Sequence, residues 1–192
     1  MEPIAFASSN PEKLAIAKHV CAQFDMTVNQ VILDIDEIQG ENPELVVADK
    51  ARRAFEQYGK PIVVSDDFWS IPALGGFPGA YMKSMNYWFK TEDFIRLMHG
   101  ISDRRIYINQ YLAYCDGTET ITFSNDLPGV VLDKPRGEST KAPCMCVVQL
   151  DADNGLSIAE VFAKGPEFVT KRYESRRDAW HGLLEWYKEK HS

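Results

Sequence analysis

The stretch PIVVSDDFWSIPALGGFPGAYMK, from Pro61 to Lys83, decides how the rest of this chain is interpreted. Its apolar run Ile62–Val64 follows Gly59 and Pro61, and a short β-branched run after such residues is typical of a buried strand. This strand is predicted to end at Ser65-Asp66-Asp67, which places two adjacent carboxylates at its carboxyl end. In open α/β sheets, ligands bind in the crevice beyond the carboxyl ends of the strands. The sequence therefore indicates a functional site around the two aspartates.

A segment rich in glycine and proline, Gly75-Gly76-Phe77-Pro78-Gly79, follows the acidic pair. Its composition predicts neither helix nor strand, and glycine lets backbone N–H groups approach an anion closely. Lys83 comes shortly after it, so carboxylates, a flexible loop and a lysine lie within one short span. This combination favours a phosphate site bridged by a metal, although the same residues also fit an ordinary turn and loop. The segment is not a Walker A loop, because Met82 stands where that pattern requires a glycine.

The length and charge of the chain limit its function classes. With 192 residues it can bury the core of one domain, and we expect a single domain over residues 1–192. The formal net charge of −7 argues against a broad nucleic-acid surface. No apolar run approaches the length that crosses a bilayer, and the N-terminus lacks a signal-peptide pattern. We therefore expect neither nucleic acid nor a membrane as a partner.

Four cysteines are scattered along the chain, at Cys21, Cys115, Cys144 and Cys146. Their spacing is not that of a zinc site or a disulfide framework. Cys144 and Cys146 are spaced to share one face of a strand. We expect buried free thiols and a cytoplasmic location, because reducing compartments keep thiols free.

Two strand–cap–helix units precede the central stretch. The first has an apolar strand from Pro3 to Ala7, a cap at Ser9 or Asn10, and a helix that begins at Pro11. A helix N-terminus beside Lys13 suits an anion, and it equally fits a capped helix with a solvated lysine. The second unit has a strand over 28–33 and a helix after a similar cap at Asn42-Pro43.

The rest of the chain alternates between helices and predicted hairpin strands. A helix after Lys83 carries Tyr87-Trp88-Phe89, for which core packing is the default role and base stacking the alternative. The predicted later strands are Ile106–Tyr114, Thr120–Phe123 after a turn at Asp116-Gly117, Gly129–Leu132 and Cys144–Leu150, and a final amphipathic helix follows them. This pattern predicts a two-lobed α/β fold. We expect a central twisted mixed sheet flanked by helices, a hairpin-rich second lobe and a cleft between the lobes.

Four separated segments resemble the inosine triphosphate pyrophosphatase family, whose members hydrolyse non-standard purine nucleoside triphosphates. Ser8–Lys13 resembles the family's Thr-Gly-Asn-x-x-Lys, and Ile38–Glu41 resembles its Gln-Gly-Glu element. Ser65–Lys83 is similar to its Glu-Asp-Thr followed by Ala-Leu-Gly-Gly-Leu-Pro-Gly-x-Tyr-x-Lys. Lys171 with Ser175-Arg176-Arg177 resembles its lysine followed by Ser-His-Arg. Order and spacing agree over nearly the whole chain.

The resemblance implies Mg²⁺-dependent hydrolysis of a nucleoside triphosphate to a nucleoside monophosphate and pyrophosphate, by a homodimer. It implies catalytic roles for Asp66 and Lys50, with Asp66 as a metal ligand or as the base that activates water. The implied metal ligands are Glu41 and Asp66. Asp67 stands where the family has threonine, and it is either a further metal ligand or a solvated turn residue. The implied substrate-binding residues are Ser8, Asn10, Lys13, Lys83, Lys171, Ser175, Arg176 and Arg177.

The sequence departs from the family where the base is expected to bind. Family members carry Phe-Gly-Trp-Asp-Pro after a strand that ends in Pro-Arg-Gly, whereas residues 138–145 of this chain read ESTKAPCM. The histidine of the family's Ser-His-Arg is Arg176 here. We therefore expect the phosphate chemistry to be retained and the base specificity to be altered.

Two other functions remain open from the sequence. One is a pyrophosphatase for modified pyrimidine nucleotides, of the related septum-inhibitor-like branch, whose Ala-Ser-x-Ser start resembles Ala7-Ser8-Ser9. The Gln-Gly-Glu element and the glycine-rich loop argue against it. The other is a nucleotide-binding protein without turnover, which the missing base segment favours. The retained carboxylates and lysines, among them Glu41 and Asp66, argue against that reading.

Overall fold

A computed structural model describes residues 2–174 and 177–191 of the chain. Within these residues it has seven β-strands and seven α-helices. The strands are β1 (Ile4–Ala7), β2 (Val28–Val31), β3 (Ile62–Ser70), β4 (Pro78–Gly79), β5 (Arg105–Cys115), β6 (Thr120–Val131) and β7 (Val148–Leu150). The helices are α1 (Pro11–Gln23), α2 (Pro43–Tyr58), α3 (Met82–Trp88), α4 (Thr91–Leu97), α5 (Ile158–Ala163), α6 (Pro166–Lys171) and α7 (Ala179–His191). The predicted α/β class is confirmed.

The strands form one mixed sheet in the order β2-β1-β3-β5-β6-β7, with β4 paired to β3. β1 lies parallel to β2 and to β3, because α1 and α2 return the chain between successive strands. β4 and β7 pair antiparallel with β3 and β6. A short turn joins the neighbouring strands β5 and β6, and in it the Asp116 N–H donates to the Glu119 carbonyl. The predicted mixed sheet and hairpin are therefore confirmed.

The chain divides into two compact units, each discontinuous in sequence. The first comprises residues 1–67, 110–125 and 173–192, and it contains β1, β2, α1, α2 and α7. The second comprises residues 68–109 and 126–172, and it contains β4, β7 and helices α3 to α6.

The first unit buries all four residues of β1, because helices cover both faces of this strand. Successive side chains of a strand point to opposite faces. Phe6 packs on one face with Val20 of α1 and Leu184 of α7. Ala5 packs on the other face with Val47 of α2. This two-sided burial explains why the strand reads as a continuous apolar run.

The second unit has an apolar core of its own, to which short helices and strands contribute. Its members include Met82, Met85, Phe94, Met98, Ile106, Val131, Val147 and Val148. Methionine is flexible and polarisable, so it fills the irregular spaces between short elements. The segment Gly75–Gly79 is linked to this core through Ile71, which is buried there and whose N–H donates to the Phe77 carbonyl.

Both predicted helix caps are present. The Asn10 side-chain oxygen accepts hydrogen bonds from the N–H groups of Glu12 and Lys13, at 2.8 and 3.3 Å. The Asn42 side-chain oxygen caps α2 in the same way. In each case the cap is followed by proline at the first helical position, where its missing N–H costs no hydrogen bond.

The central strand is longer than predicted. β3 continues from Ile62 to Ser70, so Ser65-Asp66-Asp67 lies within the strand and not at its end. The strand continues because Phe68 is buried and because Trp69 and Ser70 pair with the two residues of β4. The Gly-Pro segment was predicted to contain no strand, and β4 corrects that prediction.

Three further strand predictions are wrong in their bounds. Thr120–Phe123 and Gly129–Leu132 were predicted as separate strands, but β6 runs without interruption from Thr120 to Val131. At its end β6 pairs with β7, and Gly129 allows a close approach there, since a Cβ on this residue would lie 2.4 Å from the Gln149 carbonyl oxygen. The predicted strand Cys144–Leu150 is shorter, because Pro143–Cys146 form a 3₁₀ turn and only Val148–Leu150 is extended.

All four cysteines are buried, as predicted, and they are free thiols. Cys144 and Cys146 lie in the 3₁₀ turn, so the prediction that they share a strand face is wrong. Across residues 2–174 and 177–191, no helix combines the length and the apolar character that crossing a membrane requires.

Within the first unit, an ion pair near the C-terminal end of α7 connects this helix to the turn between β5 and β6. Lys190 Nζ lies 2.7 Å from Asp116 Oδ2 and also contacts Glu119. The ammonium lies over the rings of Tyr114 and Trp186 as well. The hydrogen bond from Lys190 is the main reason why the pKa of Asp116 is lowered to about 2.

Lys190→Met is expected to reduce the free energy of unfolding at pH 7 by up to about 1 kcal/mol, the range of partly exposed ion pairs. Because the pKa of Asp116 lies below its ordinary value of 3.8, this stabilisation is present above about pH 4 and is lost as the pH falls towards 2. Urea unfolding at several pH values measures the difference between variant and wild type. Lys18→Met, on the exposed face of α1, is the matched control. A pH-independent difference would show that only the ring contacts matter.

Candidate functional site

Five charged side chains gather in the first unit, beside the start of α1 and the middle of β3. Lys13 Nζ lies 3.0 Å from Asp67 Oδ2. Lys50 Nζ lies 2.6 Å from Glu37 Oε1 and donates to the Ser65 carbonyl at 3.0 Å. Asp66 interacts electrostatically with both lysines and with Glu37. The site thus combines two cations with three carboxylates.

Asp66 is the most distinctive group of this cluster. Burial raises the pKa of its carboxyl above the ordinary value, and the positive charges of Lys50 and Lys13 oppose that effect. Its Oδ1 also accepts the Asp67 N–H at 2.9 Å, which fixes the orientation of the side chain. A carboxylate with a raised pKa accepts a proton more readily than a solvated one, so this residue is suited to general base chemistry.

Lys13 keeps its positive charge inside the cluster. Burial alone would lower its pKa, but the charge and hydrogen bond of Asp67, with the charges of Asp66 and Glu37, leave the pKa raised. An ammonium that stays charged while partly desolvated interacts strongly with anions. The lysine is therefore ion-paired, and it is not the solvated residue that one reading of the sequence expected.

The start of α1 places Ser8 and Asn10 next to this cluster. Ser8 Oγ accepts the Asn10 N–H at 3.2 Å, and Asn10 caps the helix. Two of the first-turn N–H groups are thus bonded to the cap. The Lys13 side chain, and not those N–H groups, is the part of the helix start that offers a charge to an anion.

The glutamate next to Lys50 is Glu37, which the sequence reasoning missed. Glu41, the predicted metal ligand, is exposed immediately before the Asn42 cap. A signal was present in the acidic run Asp34-Ile35-Asp36-Glu37, which lies between β2 and α2. The residues between strand and helix have no regular structure, so no periodicity indicates which acid of the run contacts Lys50.

The carboxylates fit a metal only as a partial shell. Within the described parts of the chain, no three His, Cys, Asp or Glu side chains are close enough together to hold a metal ion. Mg²⁺ is usually held by one or two carboxylates, with water and substrate phosphates completing six oxygens. Ser65 Oγ is buried next to Asp66 and has no hydrogen-bond partner among the described residues, so it could bond to a water or phosphate oxygen. The donor set thus fits a metal that arrives with a phosphorylated ligand.

The remaining predicted residues are distributed over both units. In the second unit, Lys83 is exposed in the first turn of α3 and Lys171 is exposed at the end of α6. In the first unit, Arg177 is exposed and binds Glu185 of α7 with both terminal nitrogens, one of them at 2.9 Å. Ser175 and Arg176 lie outside the described residues.

The aromatic residues of α3 are not core residues. Tyr87 and Trp88 are 86% and 69% exposed, so the prediction of core packing is wrong for them. It is right for Phe89, which packs against the core of the second unit. The helix is short and turns Met82 and Met85 inward, which leaves its other face outside the core. Lys83 and Tyr87 are four residues apart and therefore share that outer face.

Comparison with known proteins shows the family of this chain. The model of the Ham1 family matches residues 4–186. The dITP/XTP pyrophosphatase of Methanopyrus kandleri is 32% identical over 136 residues, which cover 70% of this chain and 72% of that protein. The inosine triphosphate pyrophosphatase of Giardia intestinalis is 32% identical over 141 residues, which cover 72% of this chain and 71% of that protein.

Solved structures agree at the level of the fold. A HAM1 protein from Coxiella burnetii has a TM-score of 0.77 at 20% identity, covering 98% of this chain and all of that one. The Ham1 protein of Staphylococcus aureus has a TM-score of 0.73 at 18% identity, covering 98% of this chain. The resemblance found in the four sequence segments is thereby confirmed, and the chain belongs to the Ham1 family.

Proposed function

We propose that this chain hydrolyses a nucleoside triphosphate to a nucleoside monophosphate and pyrophosphate, with Mg²⁺ as its metal. The observation that carries the proposal is the half-buried Asp66, which interacts with the charges of both Lys13 and Lys50 in a cluster tied together by the Lys13–Asp67 and Lys50–Glu37 ion pairs. A raised carboxylate pKa beside two ammonium groups matches what attack by water on a phosphoryl group requires. The names of the relatives, dITP/XTP and inosine triphosphate pyrophosphatases, support the same reaction.

In the proposed reaction, Asp66 accepts a proton from the attacking water. The water oxygen bonds to the α-phosphorus, and the bond from that phosphorus to the oxygen bridging to the β-phosphorus breaks. Pyrophosphate leaves with the electron pair of that bond. Lys13 and Lys50 would hold the negative charge of the phosphate oxygens, and Lys50 also donates to the carbonyl of Ser65, the residue before Asp66. Preorganised charges of this kind stabilise the transition state most.

Asp66 and Glu41 are the two carboxylates proposed to hold the metal, with water and substrate phosphates completing its shell. When bound, Mg²⁺ would neutralise phosphate charge and polarise the phosphoryl group. Lys83, Lys171, Ser175, Arg176 and Arg177 are proposed to bind the rest of the nucleotide, with Ser8 and Asn10 at the phosphate end. A homodimer and a cytoplasmic location complete the proposal.

The proposed base specificity differs from that of typical family members. Residues 138–145 supply no aromatic ring and no aspartate, and within this segment Ser139 Oγ is used to cap its own turn. Exposed Tyr87, on the same face of α3 as Lys83, supports an alternative stacking surface for the base. Stacking tolerates different bases, because every base has a flat apolar face. We therefore propose broad base tolerance or a preference for a nucleotide other than inosine triphosphate.

Asp66→Asn is expected to lower the rate of pyrophosphate release by at least about 10²-fold, the scale of losing one preorganised group. The amide keeps the size of the carboxylate but cannot accept the proton. Pyrophosphate release with Mg²⁺, and with a chelator in its place, measures the effect. Asp34→Asn, an exposed residue after β2, is the matched control and should retain wild-type activity. Near-normal turnover of Asp66→Asn would contradict the assignment of the base.

Base preference is tested by kcat/KM for inosine, xanthine, adenosine, guanosine and modified pyrimidine triphosphates. A site that hydrogen-bonds a group of the base rejects its analogue by about 10⁴-fold, whereas an apolar surface manages only about 10²-fold. We expect ratios nearer the smaller value. A wide margin in favour of inosine and xanthine would contradict the proposed specificity. A preference for modified pyrimidines would favour the septum-inhibitor-like function. If pyrophosphate is released from none of these nucleotides, the chain is better explained as a nucleotide-binding protein without turnover.

A further inference from the structure

The Lys13–Asp67 ion pair links the two phosphate-site elements of the first unit. It joins the first turn of α1 to the middle of β3 at 3.0 Å, and both side chains are partly shielded, at 26% and 33% exposure. The backbone of Lys13 is also held in place, because its N–H donates a hydrogen bond to the side-chain oxygen of Asn10. Asp67 thus holds the ammonium of Lys13 towards β3.

The surroundings of this pair are acidic. Asp66 and Glu37 also act on Lys13 through their charges, and Lys50 is the other cation, paired with Glu37. Two positive and three negative charges leave the cluster with a net charge of −1. A polyphosphate that approaches Lys13 therefore meets repulsion from the carboxylates, and Asp67 is the one in direct contact with the lysine.

A phosphate oxygen and the Asp67 carboxylate compete for the same ammonium. A partly exposed ion pair is worth only about 0–1 kcal/mol, so Lys13 can exchange one partner for the other. The released carboxylate would still lie close to the bound phosphates and repel them. Both effects reduce the affinity of the site for a polyphosphate chain.

Resting on the function proposed above, we propose that Asp67 is a positioning residue that competes with the substrate for Lys13 and sets the affinity of the site for polyphosphate. This role differs from that of a metal ligand. As the counter-ion of Lys13, Asp67 weakens anion binding through the lysine, whereas as a ligand it would strengthen binding through the metal. The two roles predict opposite effects of removing its charge.

The test is isothermal titration of inorganic tripolyphosphate in a metal-free buffer with a chelator. Asp67→Asn keeps the shape of the side chain, and it is expected to bind tripolyphosphate about tenfold more tightly than wild type, a change of about 1.4 kcal/mol. When Asp67→Asn is added to Lys13→Met, the gain relative to Lys13→Met alone should be clearly smaller, because the competition for Lys13 is gone and only the relief of repulsion remains. Glu189→Gln, exposed on α7, makes the same change in net charge and should leave the affinity unchanged.

Two further measurements separate the roles. The KM of Asp67→Asn for a nucleoside triphosphate should fall more than its kcat changes, because uniform binding affects KM. Binding of Mn²⁺ alone, followed by electron paramagnetic resonance, should be unchanged in Asp67→Asn. Weaker Mn²⁺ binding without tighter tripolyphosphate binding would overturn the proposal and assign Asp67 to the metal.

The failure of this inference can be told from the failure of the proposed function. If wild type hydrolyses nucleoside triphosphates but Asp67→Asn binds tripolyphosphate no more tightly, only the role of Asp67 is wrong. If wild type neither releases pyrophosphate nor binds tripolyphosphate with Mg²⁺, the proposed function itself is wrong. Circular dichroism of each variant establishes that it is folded, and Asp67→Ser replaces Asp67→Asn if the amide does not fold.

Discussion

The parallel register between β1 and β3 is the constraint on which the candidate site depends. Ala7 pairs with Val64, so the chain that leaves β1 passes beside the middle of β3. The first turn of α1 then brings Lys13 within reach of Asp67, across a sequence distance of more than fifty residues. A shift of this register by one residue would turn the side chains of β3 to the opposite face. Burial of β1 under helices on both faces prevents such a shift, because every residue of the strand has an apolar partner.

The electrostatics of the site follow from that placement. A carboxylate that loses its water contacts is destabilised in its charged form, and nearby ammonium groups offset this cost. Asp66 is in this situation, with Lys50 and Lys13 acting against the effect of burial. The cluster is therefore neither a simple stabilising ion pair nor an isolated buried charge. It holds charges in place before any ligand arrives, which is the condition under which electrostatic catalysis is strongest.

Local rules were enough to predict part of this structure. The Asn-Pro signals at residues 10–11 and 42–43 fixed the starts of α1 and α2, because capping needs only neighbouring residues. The extension of β3 past the aspartates was not predictable in this way, since it depends on pairing with β4 and on burial of Phe68. The same holds for Glu37, whose contact with Lys50 is made by an irregular segment, and for Tyr87, whose exposure follows from which residues of α3 face the core. These three features depend on contacts between residues that are far apart in the sequence. Local sequence patterns therefore do not predict them.

Because the first unit consists of three separate stretches of sequence, its folding depends on contacts between distant parts of the chain. Its largest apolar cluster joins Ile4 and Phe6 to Trp180, Leu183 and Leu184, so the two ends of the chain must meet before that core is closed. Contacts of such long sequence separation carry a loop-closure cost and slow folding. During synthesis, β1 and α1 are made well before α7, because all the other strands and helices lie between α1 and α7 in the sequence. The apolar face of β1 that packs against α7 therefore stays without this partner while the intervening residues are translated, and it is a surface that a chaperone would shield.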